Sequence, residues 1–133
     1  MGIKARNVDP DSAVRRMVFT GMVPTDPLAT GNGKGRIYIY GLGEELGEIE
    51  RVSAVVATAP TGQALTCQLH NGTADVLSSV LSMTATETAA TSTSIVAAQA
   101  EVSDGDVLRI DIDQVGSTEA GEHLTVSVVV KLK

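Results

Sequence analysis

The feature that most constrains this chain is a two-residue hydrophobic period that begins at Gly35 and continues to the end of the sequence. In the closing segment HLTVSVVVKLK, every second residue from Leu124 to Leu132 is Leu or Val, and most residues between them are polar. Successive side chains of a β-strand point to opposite faces, so this pattern predicts a strand with one buried face. In the strand VLRIDIDQV before it, the residues predicted to face the core are Leu108, Ile110 and Ile112, and those predicted to face away are Arg109, Asp111 and Asp113.

The same period recurs in shorter segments that are separated by turn sequences. RIYIY, GEIERVSAVVATA, QALTCQLH and SIVAAQAEV are further strand-like segments, whereas TATETAATSTS is predicted to be an exposed loop. Asn71-Gly72 is a strong hairpin signal, and Pro60 and Gly62 suit a turn. About eight strands with short connections, and no segment of helical period, predict an all-β antiparallel β-sandwich or jelly roll over residues 36–133.

The first 35 residues differ from the rest of the chain. They hold three of the four prolines and five of the glycines, and no period of two or 3.6 is sustained in them. Proline cannot donate a backbone hydrogen bond to a β-ladder, so regular strands are disfavoured here. We therefore predict an N-terminal extension over residues 1–35. Its apolar residues leave two alternatives open, a partly ordered extension or an arm that orders against a partner.

Charge is divided unevenly between the two parts of the chain. The net charge is −6 overall, but residues 1–36 carry +3 and the remainder carries −9. An acidic body argues against binding to the backbone of nucleic acid. A basic segment attached to an acidic body instead suggests a partner with an acidic protein surface.

The stretch DIDQVGSTEAGEH, residues 111–123, has part of the spacing of a calcium-binding loop. Asp111 and Asp113 would be the first two ligands, Gly116 the central glycine and Glu122 the last ligand. The flanking segments are predicted strands, however, whereas the motif requires helices, and the fifth position is the apolar Val115. We expect instead no metal here and a strand that ends near Val115, followed by a loop with two glycines, Gly116 and Gly121, at its positive-φ corners.

No residue pattern indicates catalysis or a cofactor. His70 and His123 are interpreted as polar residues at the edges of loops, and no nucleophile motif accompanies them. Cys67 lies on the same predicted face as Leu65 and Leu69, which is typical of a buried small hydrophobic residue. No apolar run approaches the length needed to span a membrane. We therefore expect neither an enzyme nor a membrane protein, and no small-molecule substrate.

Several motifs occur in an order that resembles a β-sandwich module of tailed-bacteriophage virion proteins. They are Ile-Glu-x-Val at 49–52, the turn at 59–62, Asn-Gly-Thr at 71–73, Gly-Asp-x-Leu at 105–108, and the segment 111–126 with its Asp-x-Asp and closing Leu-Thr-Val. The resemblance covers residues 36–131, except that residues 78–94 cannot be aligned with it.

The resemblance implies a structural role in a virion. A short chain with one sandwich and a basic extension resembles a capsid decoration, or cement, protein, which would be made in the bacterial cytoplasm and sit as a homotrimer on the capsid exterior. Its partner would be the major capsid protein, and no nucleic acid would be bound. The residues expected to contact the shell are Lys4, Arg6, Arg15, Arg16, Val18, Phe19 and Met22, and a possible subunit contact comprises Asp111, Asp113, Gly116 and Gly121.

Two other roles remain open for such a module. It could belong to a tail fibre that binds a receptor, or to a component of the head–tail joint or collar. Under the decoration hypothesis, a chain that lacks residues 2–30 is expected to fold but not to bind expanded shells.

Overall fold

The computed structural model describes residues 14–133, which form two antiparallel β-sheets packed face to face. The described part of the chain has no α-helix and only one 3₁₀ turn, Ala97–Gln99. The ten strands are β1 Arg16–Met22, β2 Gly31–Tyr38, β3 Gly47–Val55, β4 Leu65–Asn71, β5 Ala74–Asp75, β6 Leu81–Met83, β7 Ala89–Ser92, β8 Glu101–Val102, β9 Val107–Gln114 and β10 Thr125–Leu132.

The strand order is that of a jelly roll. Sheet A has the order β1-β10-β3-β7, with β8 also paired to β3, and sheet B has the order β2-β9-β4-β5, with β6 also paired to β4. When β5 and β6 count as one position and β7 and β8 as another, eight positions remain. The first pairs with the last, the second with the seventh, the third with the sixth and the fourth with the fifth, as in a double Greek key wound across two sheets. The predicted fold class is therefore confirmed.

The core lies between the inner faces of the two sheets and follows the predicted alternation. Val126, Val128 and Val130 of β10 are fully buried, and so are Leu108 and Ile110 of β9. Residues from both sheets join one continuous hydrophobic cluster. Because apolar burial is the main force that stabilises a fold of this kind, the period-two pattern is what selects the sandwich.

The predicted extension is wrong for residues 16–35, because this part of the chain supplies two strands of the sandwich. β1 pairs with β10 along its whole length, and the side chain of Phe19 is buried in the core. The glycines mark a close approach of β1 and β2: a Cβ at Gly21 would collide with the carbonyl oxygen of Arg36, and one at Gly35 would lie 2.8 Å from the carbonyl oxygen of Met22. The domain boundary expected at residue 35 is thus not present, and Lys4 and Arg6 lie outside the described residues.

A second difference concerns the segment TATETAATSTS, predicted to be a loop. Its residues Ala89–Ser92 form β7, which pairs with β3 at the edge of sheet A. Alanine, threonine and serine give little contrast between the two faces of a strand, so the sequence shows no alternation there. Backbone pairing with β3, which the sequence does not display, makes this segment a strand.

Candidate functional site

The outer face of sheet A has an area without charged side chains, which we call the uncharged face. It is built from alternate residues of four adjacent strands, whose intervening residues point into the core. The members are Val18, Thr20 and Met22 of β1, Thr125, Ser127 and Val129 of β10, Ser53 and Val55 of β3, and Ala89 and Thr91 of β7.

Aliphatic side chains on the uncharged face are unusually exposed to solvent. Val18 is 63% exposed, Met22 62% and Val55 53%. Between them the hydroxyls form cross-strand pairs, with 3.0 Å between Thr20 Oγ1 and Ser127 Oγ and 3.1 Å between the Ser53 and Thr91 oxygens. The lack of charged side chains is a property that this face shares with the central parts of protein–protein interfaces.

Arg15 and Arg16, two of the residues predicted to contact the shell, lie at one end of the uncharged face and are bound to neighbouring carboxylates. Arg16 Nε donates a hydrogen bond to Glu50 Oε1 at 2.7 Å, and Arg15 forms an ion pair with Glu45. The hydrogen bond from Arg16 holds the pKa of Glu50 below its ordinary value. Arg15 and Arg16 are therefore partly neutralised within the chain and are less available to an acidic partner than the sequence suggested.

On the opposite side of the molecule, the outer face of sheet B contains a buried carboxylate. Asp111 is only 1% exposed, although it alternates with the core residues of β9 as predicted. Its oxygens accept hydrogen bonds from Arg109 Nε and Nη2, both at 2.8 Å, and from the backbone N–H of Gly33 at 2.7 Å. Burial by itself raises the pKa of this carboxyl, but the hydrogen bonds and the nearby His70 and Arg109 outweigh it and lower the pKa of Asp111. Asp111 thus faces away from the core, as predicted, but it is covered by its neighbours and is not accessible to solvent.

His70 belongs to this cluster, whereas the sequence had suggested a position at the edge of a loop. Its Nε2 lies 2.7 Å from Asp75 Oδ1, and its Nδ1 lies 2.8 Å from Asp111 Oδ2, though without the alignment of a hydrogen bond. The cluster borders a depression of about 240 Å³ whose lining residues include no Ser, Thr or Cys. His70, Asp75 and Asp111 thus bring β4, β5 and β9 into contact at this point.

The loop of residues 115–124 lies at one end of the sandwich and borders a depression of about 410 Å³. Gly121 has a φ of +105°, as predicted, but Gly116 does not lie in the left-handed region. Gly116 is required for space, because a Cβ there would collide with the carbonyl oxygen of Glu119. Asp26 holds His123 in place: Asp26 Oδ1 accepts one hydrogen bond, at 2.9 Å, from the backbone N–H of His123, and Asp26 Oδ2 lies 2.9 Å from His123 Nδ1.

Neither of the two predicted contacts, the one with the shell and the one between subunits, forms a single surface in the structure. Val18 and Met22 lie on the uncharged face, whereas Phe19 points into the core. Asp111 belongs to the cluster on sheet B and Gly116 to the loop at the sandwich end, so these residues do not form one patch.

Val55, which sequence reasoning did not single out, lies opposite Thr125 on the uncharged face. The signal that could have identified it is an apolar residue at an outward position of a strand.

Across residues 14–133, no group of three or more His, Cys, Asp or Glu side chains is placed to hold a metal ion. Asp111 and Asp113 of the calcium-like stretch lie within β9, which ends at Gln114, and β10 follows the stretch, so strands adjoin it as predicted. None of the described elements is a helix with the length and hydropathy needed to cross a membrane.

Comparison of this chain with protein-family models, with curated proteins and with solved structures finds no match.

Proposed function

We propose that this protein is a structural virion protein that decorates the outside of a tailed-phage capsid and stabilises the expanded shell. It would act as a homotrimer bound to the major capsid protein, after synthesis in the bacterial cytoplasm. A protein that binds only the expanded form of a shell stabilises that form by mass action. The order of sequence motifs, together with the jelly-roll strand order, supports this role.

The observation that carries the proposal is the uncharged face of sheet A. The chain carries a net charge of −6, which favours solubility, yet three apolar side chains on this face are more than half exposed. When a partner covers exposed apolar surface of this kind, the burial stabilises the complex by roughly 25 cal/mol per Å² of apolar surface removed from water. We assign the contact with the shell to the uncharged face, which includes Val18 and Met22, two of the residues expected to make that contact.

Co-sedimentation with expanded shells tests this assignment. The variant Val18→Asp/Val55→Asp places two charges on the uncharged face, and we expect its affinity for shells to fall by at least about tenfold. Val80→Asp is the matched control, because Val80 is 43% exposed but lies beside the cluster on sheet B. The proposal is contradicted if the double variant and the control bind shells as well as the unmodified protein.

The structure also alters the result expected from deletion of residues 2–30. Deletion of residues 2–30 removes β1 and is now expected to unfold the domain, because Phe19 and the pairing with β10 are lost. Deletion of residues 2–13 leaves every described strand in place. A loss of shell binding in that shorter deletion would assign a contact to the segment that contains Lys4 and Arg6.

A further inference from the structure

All three aromatic rings of this chain come together at the edge where β1 and β2 meet. The centroids of Tyr38 and Tyr40 are 5.5 Å apart in a stacked arrangement, and Tyr40 contacts Phe19 edge-on at 5.7 Å. Phe19 is buried, but Tyr38 and Tyr40 are 55% and 58% exposed. Two of the three rings are therefore exposed, although their burial would stabilise a core that has no tryptophan.

Two cations lie on β2, the strand that ends at Tyr38, two residues before Tyr40. Arg36 is exposed and alternates with the buried Ile37, so that it shares the outer face of sheet B with Tyr38. Lys34 is half-buried and lies next to Gly31. Neither Lys34 nor Arg36 forms an ion pair with any residue between 14 and 133, in contrast to Arg15 and Arg16. We call Lys34, Arg36, Tyr38 and Tyr40 the β2 row.

The acidic groups near the β2 row are already engaged in local hydrogen bonds. Asp104 accepts one from the backbone N–H of Leu42 at 3.1 Å, and Asp106 accepts one from the N–H of Ser103 at 2.9 Å. Asp111 is bound by Arg109, which lies directly across from Arg36 on β9. The β2 row combines exposed aromatic rings with cations that form no ion pair with these carboxylates.

We propose that the β2 row is a docking surface for an acidic polypeptide segment. Arginine and tyrosine are enriched at the centres of protein interfaces, and a guanidinium can hold a carboxylate through two parallel hydrogen bonds. In this inference the acidic segment belongs to the shell, an identity that rests on the proposed function. The β2 row and the uncharged face lie on opposite sheets, so each chain would join two neighbouring shell subunits and gain avidity from both contacts.

The chemistry can be tested without shells, with labelled poly-L-glutamate as the probe and fluorescence anisotropy as the measurement. Lys34→Glu/Arg36→Glu should weaken binding at least about tenfold, since it removes two cations and adds two anions. Arg51→Glu/Lys131→Glu makes the same change of charge on sheet A and should leave more of the binding intact. Tyr38→Ala/Tyr40→Ala should also weaken it, while added salt should reduce binding by the unmodified protein.

Failure of the inference and failure of the proposed function give different results. Absence of binding between the unmodified protein and poly-L-glutamate, or equal losses in the two charge-reversal variants, would overturn the docking surface. If poly-L-glutamate binds through the β2 row but the unmodified protein does not bind expanded shells, the docking chemistry stands and the proposed function fails. If shells bind the Lys34→Glu/Arg36→Glu variant as well as the unmodified protein, the shell is not the source of the acidic segment.

Discussion

Replacement of Phe19 by alanine gives the sharpest test of the position of β1. In the structure this side chain is 4% exposed, belongs to the core and contacts the ring of Tyr40. Truncation of a buried phenylalanine to alanine typically costs about 3–5 kcal/mol, because the transfer free energy is lost and a cavity remains. Since β1 is an edge strand that can relax around the cavity, we expect a loss of about 3 kcal/mol. A flexible arm would lose almost nothing.

Urea unfolding followed by far-ultraviolet circular dichroism measures this loss. With a slope of about 2 kcal/mol per molar urea, a loss of 3 kcal/mol lowers the unfolding midpoint by about 1.5 M. Val18→Ala is the matched control, because Val18 is the neighbouring residue of β1 but is 63% exposed, so its effect should stay within about 0.5 kcal/mol. Equal midpoints for Phe19→Ala, Val18→Ala and the unmodified protein would refute the packing of β1 in the core.

Three further predictions concern the interior. Because the folded pKa of Asp111 is lowered, the stability that this carboxylate contributes is present above the unfolded pKa, about 3.9, and is lost as the pH falls through the folded pKa. The Asp111→Asn variant should therefore unfold at lower urea concentration at pH 7, and it should lose less stability than the unmodified protein between pH 5 and pH 2. Equal dependence of stability on pH in the two proteins would contradict this. Gly116→Ala should lower the thermal midpoint, since its Cβ would collide with the carbonyl oxygen of Glu119, and an unchanged midpoint would show that the loop has another conformation. Burial raises the pKa of Cys67 to about 12, so iodoacetamide should label it only after urea unfolds the chain, whereas rapid labelling of the folded protein would contradict the burial.

The sequence predicted the parts of the fold that depend on side-chain alternation. β9 and β10 have strong contrast between apolar and polar positions, so their faces could be assigned before the structure was known. β1 and the first part of β2 escaped notice for a physical reason, whereas the segment RIYIY, which contains the end of β2, was predicted to be a strand. Gly21 and Gly35 allow two backbones to approach closely, but in the sequence glycines look like a flexible joint, and Pro24 and Pro27 lie between β1 and β2 instead of within them.

The candidate surfaces depend on contacts between residues that are distant in the chain. That Arg16 meets Glu50, and that Asp111 is covered by Arg109 and Gly33, follows from strand register and from the packing of loops, which alternation does not reveal. The outward direction of Asp111 was predictable, but its burial was not. Likewise, the exposure of Val55 on an otherwise uncharged face becomes meaningful only when its neighbours on β10 and β7 are known.

The copy number of this protein in purified virions tests the central functional claim most directly. Quantitative gel densitometry of virions that contain the chain, calibrated against the major capsid protein, supplies that number. A decoration protein that covers the shell is predicted to occur in a number comparable to that of the major capsid protein. A small fixed number, typical of a fibre, collar or head–tail component, would contradict the proposed role.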